Sequence, residues 1–293
     1  MGDYFNQNSS LFTFKPDESW IILSPFAREC KRKVEIIGVP LREWNVEIFR
    51  GVTTGSKAFI ISSEIREEIL NGCKTVEEYT RTVKIIRPTL RGMDISKYQA
   101  SSEKWMIATF PSLKYSIDDY PSLKKYLLSF GIEKLEQTGM VHVVNGEKIK
   151  ARKKTNNNWF ETQDSISYWD KFSQPKIVWG EICDKSKFFF DESDGYYCEA
   201  TSFLMTGDNL WYILACLNSS IIEEYFASVG TKTGEGTLRW KKYKVLDIPI
   251  PPINDEVLKD RIVSLAKEIQ RQNGKANDLI GELDSLIRGL YGF

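Results

Sequence analysis

Alternation and turn signals shape the first half of the chain. The segment KVEIIG, residues 33–38, is rich in β-branched residues and ends on a glycine. VEIFRG, residues 46–51, has the same form, and AFIIS, residues 58–62, is a short apolar run suited to a buried strand. Together they predict strand, turn, strand over residues 33–61, with a polar turn at residues 52–57. A helix is expected over residues 63–71, with Ser63 as N-cap and Gly72 closing it. VKIIRPTLRG from Val83 and WMIATF from Trp105 predict further strands. Residues 120–130 predict a helix: Pro121 suits the first turn, and Leu123, Tyr126, Leu127 and Phe130 share one face.

Residues 145–165 break the pattern. The stretch NGEKIKARKKTNNNW is polar and basic with no apolar period, so an exposed loop or hairpin tip is expected. PKIVWGEI from Pro175 and KFFFD from Lys187 predict strands. Residues 210–226 predict one helix, with Leu210, Leu214, Leu217, Ile221 and Tyr225 on a stripe. A Gly/Thr-rich loop follows at residues 230–236. DIPIPPI, from Asp247, is extended and is expected to end the globular part, because proline cannot continue a helix or an inner strand.

Beyond Asn254 the period changes. Leu258, Ile262, Leu265, Ile269, Gln272, Ala276, Leu279, Leu283, Leu286 and Leu290 alternate steps of four and three, which is a heptad seam. Asn273-Gly274 could fold it into a hairpin. The unbroken phase favours one continuous helix, roughly 50 Å long at ~1.5 Å per residue. Packing on its own domain and a coiled coil with a partner, including self-association, both stay open. The chain therefore divides into residues 1–253 and a helical tail over residues 254–293.

Hydrophobic residues at 42% and charged residues at 27% fit an ordinary folded protein, and aromatics at 13% ask for a large core or a working surface. Forty basic residues balance forty acidic ones. Bulk charge thus gives no case for nucleic acid, and local clusters must carry it. The five cysteines, Cys30, Cys73, Cys183, Cys198 and Cys216, form no CxxC pair, so free thiols are expected rather than a disulfide framework or a zinc site. The N-terminus carries no secretory pattern, and no apolar run reaches the ~18 residues a membrane helix needs. A cytoplasmic protein without a membrane partner is expected.

No catalytic residue stands out. His142 is the lone histidine and cannot form a two-histidine metal site. Pro16-Asp17 with Glu29-Cys30-Lys31 matches a degenerate nuclease pattern, so a metal-dependent nuclease using Asp17, Glu29 and Lys31 is an alternative, although no apolar strand presents Glu29. Gly234-Glu235-Gly236 lacks a third glycine, and Pro251-Pro252 lacks the polar and aromatic neighbours of an amino-methyltransferase tetrapeptide. Binding remains. Lys148, Lys150, Arg152, Lys153 and Lys154 form a basic run beside Asn156, Asn157, Asn158 and Trp159. A second run, Arg239, Trp240, Lys241, Lys242, Tyr243 and Lys244, follows Lys232 and Thr233. Lysine and arginine neutralise phosphates, and asparagine can pair with adenine.

Four stretches in order carry a resemblance: GVTTGSKAFII at Gly51, LRGMDISKY at Leu90, PKIVWGEI at Pro175, and GYYCEATSFLMTG through LACLNSSIIEEYF to GTLRWKKYKVLDIPIPP. Over about residues 33–290 the chain resembles the TaqI-like C-terminal specificity domain of type IIG restriction–modification enzymes and related adenine-specific DNA methyltransferases. The resemblance implies an α+β target-recognition domain, with a mixed or antiparallel sheet, flanking helices and a long C-terminal helix. It implies binding of double-stranded DNA beside a methyltransferase domain or subunit that flips an adenine. The chain itself would be non-catalytic, within a parent that is an N6-adenine methyltransferase or restriction endonuclease. No cofactor is expected in this chain. S-adenosylmethionine, and magnesium if the parent also cleaves DNA, would belong to the catalytic domain. The chain would be a fragment of a longer polypeptide or a stand-alone subunit, and its tail resembles the spacer helices of type I specificity subunits acting as partner-binding scaffolds. Thr53, Thr54, Gly55, Ser56 and Lys57 are expected on the DNA face, because small residues and a glycine let the backbone approach closely. Arg91, Lys150, Arg152, Lys153, Lys154, Asn156, Asn157, Asn158, Lys232, Thr233, Arg239, Lys241 and Lys242 complete the candidate DNA-binding set.

Overall fold

Along the strand Lys176–Gly180, Ile177 and Trp179 point into one core while Val178 points into another. This is the period of two expected for a strand buried on both faces. The neighbouring strand Ser202–Gly207 repeats it, with Phe203 and Met205 on one side and Leu204 on the other. These two lie at the centre of an antiparallel sheet whose order is Phe188–Asp191, Lys176–Gly180, Ser202–Gly207, Val46–Arg50. The computed structural model describes residues 23–192, 195–232 and 237–293.

A second four-stranded sheet runs Tyr197–Cys198, Ile86–Leu90, Lys104–Ile107, Ile60–Ser62, with its first pair parallel. Met106 and Ala108 meet the first sheet through a shared core with Val178 and Leu204. Ile61 and Ile107 face the opposite way, toward the helices Ser63–Asn71 and Pro121–Leu128. The layers thus read helices, sheet, sheet, helices, and the class is α+β, as the resemblance implied. Between the sheets lies a buried ion pair. Lys176 Nζ sits 2.5 Å from Asp191 Oδ2 and donates to the Phe172 carbonyl, with both side chains 1% exposed.

Several elements differ from expectation. KVEIIG is not a strand. It is the second half of the helix Pro25–Ile37, capped by Ser24, whose hydroxyl accepts from the Ala27 N–H. Ala27, Cys30 and Val34 bury one stripe, and that one-sided burial outweighs the local β-propensity. The helix at Ser63–Asn71 starts as expected but is capped by Ser62. Val83 belongs to an unexpected helix, Val76–Ile85, capped by Thr75, and the strand begins only at Ile86. Residues 210–226 are two helices, Leu210–Leu217 and Ser220–Val229. Asn218 leaves the helix to bond both the N–H and the carbonyl of Phe188, and Ser219 caps the next turn.

The long C-terminal helix is present over Glu256–Arg271, but the chain then reverses. Asn273 and Gly274 are left-handed, with φ of 53° and 68°, and a second helix, Asn277–Leu290, returns along the first. A Cβ at position 274 would lie 2.6 Å from the Lys97 carbonyl oxygen, so the turn requires glycine. Both helices face the same core, but the second turns a shifted stripe inward, burying Leu283 and Ile287 while Leu279, Leu286 and Leu290 of the seam are half-buried and Gln272 is exposed. Ile262, Leu265, Ile269, Leu283 and Ile287 are all buried there with Trp179 and Trp240. Much of the seam is thus packed within the chain, and the globular part runs on past residues 247–253 into both tail helices. The five cysteines are free. No helix among the described residues is long and apolar enough to cross a membrane.

Candidate nucleic-acid interface

Three glycines bring separated segments together. A Cβ at Gly51 would lie 2.0 Å from the Glu199 carbonyl oxygen. Gly92 and Gly180 cross so closely that a Cβ on either would meet the other's Cα at about 3 Å, near the Thr201 carbonyl. These crossings set the loop of residues 53–57 beside Arg91 and residues 199–201. The result is an open groove of about 590 Å³, lined by Thr53, Thr54, Gly55, Ser56, Lys57, Arg91, Glu199 and Thr201. The loop and Arg91, nominated separately from sequence, therefore share one surface. On the other side of the loop, residues 55–57 also line a recess of about 250 Å³ with Lys134 and Lys150. The loop is a ridge between two hollows, with the exposed Lys57 on it.

Backbone hydrogen bonds hold this ridge. Thr53 N–H donates to Asp164 Oδ2 at 2.9 Å, and its carbonyl accepts from the Asp164 N–H at 3.0 Å. Arg152 donates to the carbonyls of Leu135 (2.6 Å), Thr54 (3.0 Å), Glu161 (2.7 Å) and Trp159 (2.7 Å), and its guanidinium packs over the Phe59 ring. Arg152 is only 5% exposed, and burial lowers its pKa to about 10. It is thus not placed to meet a phosphate. Its place in the DNA-contacting set is corrected to that of a bolt under the loop.

The rest of the first basic run divides in a similar way. Its strands Val141–Val144 and Glu147–Lys150 form a hairpin, turned at Asn145-Gly146. His142 lies on it beside the Glu136 carboxylate. Lys148, Lys150, Lys153, Lys154, Asn156 and Asn158 are exposed. Asn157 instead donates its amide to the carbonyls of Thr162 and Gln163. Its amide N–H groups are therefore committed to the fold rather than free for a base. Arg91 is held by Asp94, donating from Nε (3.1 Å) and Nη2 (3.0 Å).

In the second run, Trp240 is buried, stacked on Phe226 at 3.8 Å, and its carbonyl accepts from the Trp179 indole at 2.8 Å. Arg239 pairs with Glu181 at 3.3 Å, and the Glu181 N–H donates to the Thr201 carbonyl. This run is therefore anchored next to the groove wall. Lys242 is exposed, Lys241 half-buried, and Lys244 donates to the Val229 carbonyl. Lys232 ends the strand Thr231–Lys232, where it lies opposite Leu238 of the antiparallel strand Leu238–Arg239, and Thr233 lies outside the described residues.

The nuclease alternative is not assembled. Glu29 and Lys31 lie on a helix, paired with Arg32 and Glu35, and Asp17 lies outside the described residues. Among the described residues no three acidic, histidine or cysteine side chains cluster as a metal site. Sequence reasoning nominated the loop but missed Glu199 and Thr201, and it missed that Gly51, Gly92 and Gly180 are backbone crossings.

A family model described as the TaqI-like C-terminal specificity domain matches residues 87–250, more than half of the chain. In fold the chain is similar to the type IIL restriction-modification enzyme MmeI, solved in complex with DNA, at 13% identity and a TM-score of 0.55. That match covers 89% of this chain and 35% of MmeI. The type IIG restriction endonuclease BpuSI is also similar, at 13% identity and a TM-score of 0.50, covering 92% of this chain and 33% of BpuSI. The chain thus spans about a third of the length of either structure. No curated protein sequence matches it.

Proposed function

Because the chain belongs to the TaqI-like C-terminal specificity domain family, we propose that it is the DNA-sequence-recognition module of a restriction–modification adenine methyltransferase of the type IIG kind. The observation that carries the reading is the convergence of residues 53–57, Arg91 and residues 199–201 on one groove, flanked by the cations of Lys57, Lys134 and Lys150. Lysines on the flanks would neutralise phosphates and fix the register, while polar side chains in the groove would read base edges. A catalytic domain or subunit would grip the duplex from the other side, flip the adenine and bind S-adenosylmethionine; any magnesium used for cleavage would also belong there. In this reading the chain contributes no catalytic group, and residues 254–293 brace the recognition unit.

The test is titration of the intact protein with duplex DNA over a range of salt. Binding should weaken linearly on a log–log plot, and replacing Lys57 and Lys150 with alanine should reduce the slope by roughly 0.9 for each phosphate no longer neutralised. Unchanged affinity and slope would remove this surface from the DNA interface.

A further inference from the structure

The groove contains one carboxylate whose buried oxygen accepts no hydrogen bond. The backbone of Glu199 is tied down: its N–H donates to the Leu90 carbonyl at 2.9 Å, it bridges to Val52, and its carbonyl faces Gly51. Its side chain is different. Oε1 is buried and accepts no hydrogen bond. Burial raises the carboxyl's pKa, Arg91 opposes this, and Asp94 adds to it. Arg91 itself is engaged with Asp94. A carboxylate kept for folding would be hydrogen-bonded. This one is the single carboxylate of a groove whose other charged and hydroxyl side chains are Thr53, Thr54, Ser56, Lys57, Arg91 and Thr201.

We propose that Glu199 reads the exocyclic amino group of a cytosine in the major groove, an inference that rests on the DNA-recognition reading above. A carboxylate is repelled by phosphates, so in a DNA-facing groove its partner must be a donor on a base edge. Guanine offers only N7 and O6 acceptors there, and thymine offers O4 and a methyl group. Adenine has an amino donor, but its N7 acceptor lies beside it. Cytosine alone presents a donor without a neighbouring acceptor on its own edge. Discrimination follows from the charge, because guanine, thymine or the N7 of adenine sets an acceptor against the carboxylate where cytosine sets a donor.

The experiment selects duplexes from a pool with a randomised core, using the intact protein and its E199Q variant. E199Q should fold normally, since Oε1 accepts no bond in the fold and the crossing at Gly51 involves only the Glu199 backbone; thermal melting checks this. Wild type should enrich a motif with one cytosine position at which E199Q shifts toward adenine, the base glutamine pairs with. N4-methylation of that cytosine should weaken wild-type binding by about 5- to 150-fold and leave E199Q indifferent. E199D, which keeps the charge but shortens the arm, should lose discrimination at the same position and serves if E199Q melts early. The proposal is overturned if both variants select the wild-type motif, or if N4-methylation of each selected cytosine costs wild type nothing; DNA recognition would still stand. If wild type enriches no motif, the DNA-recognition reading itself fails, and the role of Glu199 with it.

Discussion

The basic hairpin segment and the segment around Trp240 each put one large side chain inside and leave lysines outside, but they are fastened by different forces. In the hairpin segment the inward group is a cation. Arg152 is held by four backbone carbonyls, so its geometry is directional and its work is local, fixing Thr54 and the loop of residues 53–57. In the other segment the inward group is an indole. Trp240 lies between Phe226 and Phe188 in the largest core, shared by the first sheet and the tail helices. Loss of the first should damage the loop, and loss of the second should damage the domain.

The largest effect should come from W240A. Removing a buried tryptophan is expected to cost about 3–5 kcal/mol in denaturant unfolding. A variant that melts like wild type would show that the tail helices do not depend on this core. R152M should be smaller, about 1–3 kcal/mol from carbonyls left without donors, and R152K should rescue it poorly because one ammonium cannot span four acceptors. DNA binding by R152M should weaken at an unchanged salt slope. A slope reduced by about 0.9 would instead make Arg152 a phosphate ligand after all.

The lysines of the two runs give a finer contrast, Lys241 being half-buried and Lys153, Lys154 and Lys242 exposed. K153A/K154A and K241A/K242A should each weaken binding to all sequences alike, with the salt slope falling by roughly 0.9 per phosphate released. An effect from only one pair would show that the duplex follows one flank of the groove. The smallest effect concerns Glu199. Its carboxyl pKa is raised by burial, so ionisation opposes folding. That penalty is absent at low pH, where the group is protonated in both states, and grows as pH rises past the unfolded value toward the raised one. E199Q should therefore be slightly more stable than wild type at neutral pH, with the difference closing on acidification. Equal melting at both pH values would mean the carboxylate has a partner in solution.

Strands such as Lys176–Gly180 were legible in sequence because they are short, apolar and bounded by turn residues. KVEIIG was not, because its β-rich composition says nothing of Ser24 and Pro25 upstream or of the single face that becomes buried. The hairpin tail was hidden because the steps of four and three run through Asn273-Gly274 in sequence, although the returning helix buries Leu283 and Ile287 rather than the whole seam. At the site, the glycine and small polar residues of the loop were a readable signal. Which cation of a basic run turns inward was not, since the carbonyls that the Arg152 guanidinium holds are gathered only by the fold. Glu199 gave no signal either, because its isolation exists only once Gly51 and Leu90 have been brought beside it.

The clamp on residues 53–57 grips main-chain atoms: Arg152 takes the Thr54 carbonyl, and Asp164 takes the N–H and carbonyl of Thr53. Every residue type except proline offers those same atoms. Thr54 Oγ1 also donates to the Ser56 carbonyl and Ser56 Oγ accepts from the Ala58 N–H, so of the loop side chains those at positions 53 and 57 can be exchanged while its path is inherited unchanged. On the proposed reading, such a loop would change target preference by single substitutions at positions 53 and 57 without loss of the fold, which opens these two positions to directed evolution.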